Sequence, residues 1–95
     1  MIGKRERFER VISELPGKWS VRERAAYGMG PNMCATQKRG RGKVEVWGGA
    51  HANEVWYVED GREELVSKPW TPDMLAADVE RALAMADDNQ TRMEI

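Results

Sequence analysis

The apolar residues of this chain change period twice. Phe8, Val11, Ile12 and Leu15 recur at the i, i+3, i+4, i+7 spacing of one helix face. From Lys18 onward the period is two, the alternation of strands with one covered side. From Leu75 it returns to helical spacing through Val79, Leu83 and Ala86. The order is thus helix, strands, helix, and the economical two-layer fold lays both helices on one face of the sheet.

The punctuation agrees with the periods. Pro16-Gly17 ends the first helix, read as residues 4–15, because proline cannot continue a helix and biases the residue before it away from helical geometry. Trp19, Val21, Ala25 and Tyr27 share one side of a first strand, and Lys18, Ser20, Arg22 and Arg24 the other, with Glu23 breaking the apolar side. Gly28-Met29-Gly30-Pro31-Asn32 reads as a loop and Met33 to Lys38 as a second strand. Arg39-Gly40-Arg41-Gly42 is a hairpin connection into a third strand, Lys43 to Trp47. A loop of mostly small residues, Gly48 to Asn53, precedes Val55-Trp56-Tyr57-Val58. Asp60-Gly61 then signals a type I′ hairpin that sets Glu59 opposite Arg62, Trp56 opposite Leu65 and Val55 opposite Val66. Thr71-Pro72-Asp73 supplies an N-cap, a proline at the first helical position and an acid in the first turn. Asp87-Asp88 is expected to fray the last helix, since acids are unfavourable near a helix C-terminus.

The expected fold is α+β: an N-terminal helix, an antiparallel meander of four to five strands and a C-terminal helix, in two layers. It forms a single domain over residues 1–88, with 89–95 as a mobile tail. No stretch has the roughly 18 apolar residues of a membrane span, and the charged start Lys4-Arg5-Glu6-Arg7 is no secretory signal. A single cysteine excludes an internal disulfide, and a reducing cytoplasm is the expected compartment.

Chemistry-bearing motifs are sparse. Cys34 and one histidine, His51, are too few soft ligands for zinc, so no metal or cofactor is expected. Gly28-Met29-Gly30 lacks the third glycine of a dinucleotide fingerprint, and Gly42-Lys43 lacks the flanking residues of a P-loop. An enzymatic role would fall to His51, the one side chain that titrates near neutrality unperturbed, with Cys34 as a nucleophile if His51 approached it. Against that stand an exposed loop histidine and a small buried hydrophobe.

Two features remain. Residues 1–43 carry 11 lysines and arginines against 4 acids, while residues 44–95 carry 4 against 12. Within the basic half, Lys38, Arg39, Arg41 and Lys43 cluster at one hairpin, and Arg22 and Arg24 can extend that patch toward a polyanion. The bland alternative is a solvated turn that keeps the sheet edge from pairing with neighbours.

The second feature is aromatic. There are four tryptophans against one phenylalanine. Trp47 has the parity opposite to Val44 and Val46, and Trp56 and Tyr57, being adjacent, cannot both face the helices. Aromatics on an uncovered face, ringed by charge, describe a binding hot spot. The first reading is thus a small non-enzymatic interaction module: a regulator, adaptor or inhibitor of the kind common among phage accessory proteins. It binds a protein partner through Trp47, Trp56 or Tyr57, with Arg39 and Arg41 at the rim. Burial of the same face in a homodimer is the variant of this reading. Nucleic-acid binding by the basic hairpin is the alternative, and a small enzyme the third.

Overall fold

The computed structural model describes residues 3–25, 31–48 and 53–93. Helix α1 (Lys4–Ser13) leads into strands β1 (Ser20–Ala25), β2 (Pro31–Arg39), β3 (Gly42–Gly48), β4 (Asn53–Glu59) and β5 (Arg62–Ser67), and α2 (Pro72–Met93) closes the order. The strands form one antiparallel sheet in sequence order, β1-β2-β3-β4-β5. The expected α+β meander is the observed one. Tyr27, Gly28-Met29-Gly30, His51 and the last two residues of the tail lie outside the described residues, while Pro31, Asn32 and Asn53, read as loop, belong to strands.

Both helices lie on one face. Phe8, Ile12 and Leu15 of the α1 segment and Leu75, Val79, Ala82, Leu83 and Ala86 of α2 meet Met33, Ala35, Val44, Val46, Val55 and Tyr57 from the sheet in a single core. Helix α2 packs over β3 and β4, while α1 reaches β2. Phe8 lies so close to β3 that a Cβ on Gly48 would come within 2.8 Å of its ring. Gly48, read from the sequence as loop, is the bare strand position against which α1 rests.

The turns follow their residues. Asp60 and Gly61 take φ of 49° and 78°, the paired left-handed values of a type I′ hairpin. Helix α1 stops at Ser13, and Gly17 turns the chain with a φ of 90°. The side chains of Trp19 and Gln37 then pin that connection, both donating to the Pro16 carbonyl, at 3.1 and 3.0 Å.

The register read from Asp60-Gly61 holds for Glu59 opposite Arg62 and Trp56 opposite Leu65. It fails one step on. A bulge between Val55 and Trp56 sets Val55 opposite Ser67 rather than Val66. The extra residue lets Val66 pack against the core while Leu65 stays beside Trp56.

Helix α2 is longer than expected, continuing through Asp87-Asp88 to Met93. The acids lie inside the helix rather than at its end, and the Arg39 guanidinium approaches Asp87 at 3.7 Å. At the other end the Thr71 hydroxyl accepts from the Met74 N–H at 3.2 Å, with Pro72 at the first helical position. Replacing Thr71 by alanine is expected to cost about 1 kcal/mol in chemical denaturation, with the slope of the transition unchanged.

Candidate functional site

Strand parity gives the sheet a second face that neither helix covers. It carries Ser20, Arg22 and Arg24 of β1, Cys34, Thr36 and Lys38 of β2, Lys43, Glu45 and Trp47 of β3, Glu54, Trp56 and Val58 of β4, and Glu63 and Leu65 of β5. At its centre two cross-strand pairs stand side by side: Trp47 opposite Glu54 and Glu45 opposite Trp56.

Glu45 organises this face. Only 4% exposed although no second layer covers it, its carboxylate accepts from Trp47 Nε1 at 3.2 Å and pairs with Arg24 Nη1 at 3.0 Å and Lys43 Nζ at 3.3 Å. The side chains that cover it are thus the ones that neutralise it, as a carboxylate withdrawn from water requires. The Arg24 guanidinium also lies 5.1 Å from the centre of the Trp47 ring, a cation–π contact that fixes the indole from above. One strand over, Trp56 Nε1 donates to Glu54 at 3.4 Å, and Glu54 pairs with Lys68 at 3.5 Å. Each tryptophan therefore spends its N–H on the carboxylate two residues before it and leaves its ring as the surface on offer. Trp47 and Trp56 are half-buried, and Leu65 is 39% exposed beside Trp56.

Of the two adjacent aromatics on β4, Trp56 faces out and Tyr57 faces in. Tyr57 is a correction to the candidate surface: it is 4% exposed in the core, where its hydroxyl donates to Glu59 at 2.9 Å. The reason is register, since Tyr57 stands opposite Val44 and so shares the helix side with it.

The basic hairpin is divided by the same parity. Lys38 and Lys43 stand opposite each other on the outer face. Arg39 points to the helix side and pairs with Asp87, so it leaves the outer-face patch. Arg41 is exposed at the turn. Arg22 and Arg24 are exposed on the outer face, with Arg24 and Lys43 sharing Glu45. Trp47 lies at the far end of β3 from this turn, about 17 Å along the strand at 3.3–3.4 Å per residue, and the two regions connect through Glu45.

Cys34 is fully buried under this face, next to the Thr36 hydroxyl. Burial pushes its thiol pKa up and the Glu45 charge adds to the shift, so the thiol is held protonated, the opposite of nucleophile activation. A thiol reagent is expected to label Cys34 far more slowly in the native protein than in denaturant at the same pH. The difference is expected to persist near pH 9.0, the ordinary value for the group, because burial leaves the native thiol less ionised there than the unfolded one. Among the described residues no three His, Cys, Asp or Glu side chains gather as a metal set. Nor is any helix among them long and apolar enough to cross a membrane.

No family model matches the chain, and no curated protein or solved structure is significantly similar to it.

No sequence motif marks Glu45. Its signal was parity: Lys43, Glu45 and Trp47 occupy every second position and so share the face opposite Val44 and Val46.

Proposed function

We propose that this chain is a small non-enzymatic interaction module that binds a macromolecular partner through the outer face of its sheet. One observation carries the reading. Trp47 and Trp56 lie half-buried on the face the helices leave uncovered, each tethered through its N–H to a carboxylate of its own strand. A tethered indole has little rotamer freedom left to lose, so the apolar area it buries on binding goes further toward affinity. Lys38 and Arg41 sit toward the rim, where charge governs encounter rate more than grip.

Nucleic-acid binding is the second reading, because Arg22, Arg24, Lys38 and Lys43 all lie on that same face. Against its strength, Arg24 and Lys43 are already engaged by Glu45.

The test places a photo-crosslinking amino acid at Val58, between the tryptophans and the hairpin, and captures the partner in host cells. Its binding is then titrated against wild type, Trp47→Ala, Trp56→Ala and Lys38→Glu/Arg41→Glu. The aromatic variants are expected to lose affinity through faster dissociation, and the charge variant to lose association rate and salt dependence. Wild-type binding by every variant rejects this face. A polynucleotide bound with a steep salt dependence that only the charge variant abolishes establishes the second reading instead.

A further inference from the structure

The edge of the sheet next to α1 has a different character from the outer face. The hairpin joining β2 to β3 closes on Arg39 and Gly42 around a two-residue turn. In an antiparallel ladder that closing pair exchanges hydrogen bonds and the bonded pairs then alternate, so Ala35 and Gln37 of β2 face β3 while Cys34 and Thr36 face β1. Their partners on β1 are Arg22 and Ser20. The N–H and C=O groups of Val21 and Glu23 therefore point away from the sheet, along an edge where, among the described residues, no strand pairs. A side-chain contact agrees: the Val21 carbonyl is met by Arg5 Nη2 at 3.5 Å.

Alongside this edge runs a groove of about 360 Å³, walled by Arg5, Glu9, Ile12 and Ser13 of α1 and by Trp19 and Val21. The α1 residues fall on one helical stripe and the other two on the helix side of the strand. Its walls mix polar and apolar groups, and its Trp19 is held in place by the Pro16 carbonyl. The Arg5 guanidinium at its mouth pairs with Glu9 at 2.8 Å. On the opposite side of β1 the edge presents Arg22 and Arg24.

We propose that this edge takes up an extended segment of a partner protein with alternating acidic and apolar residues, which adds to the sheet beside β1. Strand addition pairs the outward backbone groups of Val21 and Glu23, taking over the Val21 carbonyl from Arg5. The period of two then sends every second side chain of the segment into the groove, where apolar residues meet the partly exposed Trp19 and Val21. The remainder lie beside the exposed Arg22, where carboxylates are favoured, with Arg24 on the same side already paired with Glu45. A second copy of β1 is a poor occupant. The antiparallel registers that centre on Val21 or Glu23, or midway between them, set Arg24 against Lys18, Arg22 against Arg24, or Arg22 against itself, and like charges directly opposite repel. The other edge, β5, is interrupted by its bulge. This site borders the tryptophan face at Arg22 and Arg24, but its backbone edge and groove use neither Trp47 nor Trp56.

The experiment titrates isotope-labelled protein with a short capped peptide alternating valine and glutamate, followed by amide NMR. The Val21 and Glu23 amides are expected to shift and to exchange more slowly with solvent. Arg22→Glu weakens binding by about tenfold, the worth of one charge-assisted contact. Glu23→Pro removes the outward N–H, with the Glu23 carboxylate, and abolishes the protection of Val21; should that variant unfold, a peptide N-methylated at alternate amides performs the backbone test from the ligand side and fails to bind. Three results overturn the proposal: no saturable binding at millimolar peptide, equal binding of the N-methylated peptide or of a valine–lysine peptide, or shifts confined to the Trp47 and Trp56 indoles. The last of these would place the ligand on the outer face.

Discussion

Leu75→Ala is expected to lower the unfolding free energy by about 2–5 kcal/mol, the range for deleting a buried leucine from a core that cannot collapse around the gap. Leu75 has no exposed surface and sits at the start of the α2 stripe, one turn from the Thr71 cap. Its neighbours come from two layers, with Val79 on its own helix and Val55 in the same core from the sheet, so no single shift of one element fills the void. A domain of this size has roughly 5–15 kcal/mol in all, so the variant forfeits a large share of its stability. Equilibrium denaturation measures the loss. A change under about 1 kcal/mol would mean that α2 does not pack as described.

Trp47→Ala is expected to weaken partner binding by about 2 kcal/mol, roughly thirtyfold, with a much smaller effect on folding. The indole is half-buried, so truncation leaves no closed cavity, and its Glu45 partner keeps Arg24 and Lys43. What disappears is a ring held between the Glu45 carboxylate and the Arg24 guanidinium. Glu45→Gln separates position from mere presence. The amide oxygen can still accept from the indole N–H, but the charge that draws in Arg24 and Lys43 is gone, so an intermediate loss of affinity is expected. Titration of the crosslinked partner reads both. If Trp47→Ala binds as wild type does, Trp47 has no part in recognition.

Local signals were enough where the chain decides its own geometry. Asp60-Gly61 carried the β4–β5 turn and its first pairs, and Thr71-Pro72-Asp73 carried the start of α2, because turn and cap chemistry act over a few residues. The bulge at Val55 was not legible: it answers to the fit of Val66 against a core assembled from distant segments. Nor was the end of α2. Asp87 reads as a terminal acid until Arg39, far away in sequence, is seen beside it. For the candidate face, the parity of Trp47 was readable within β3, whereas the choice between Trp56 and Tyr57 waited on the β3–β4 register, since both sides of β4 are apolar. The basic run looked like one patch in sequence because clustering along a strand takes no account of the two-residue period. Folding sent Arg39 to one side and Lys38 and Lys43 to the other.

The sequence-order sheet has a consequence for how the protein reaches this state. Every strand pairs with the strand next to it in the chain, so no ladder has to wait for a distant segment to diffuse in. The β4–β5 hairpin, closed by two residues in left-handed geometry, can form by itself on a timescale of about 1–10 μs and offer its edge to β3. Helix α1 is the exception. Phe8 needs Gly48, at the far end of β3, and that surface exists only after β3 has paired. The first helix of the sequence is thus expected to dock late. Until it does, the β1 edge has no helical wall beside it, and the groove at that edge belongs to the finished fold alone.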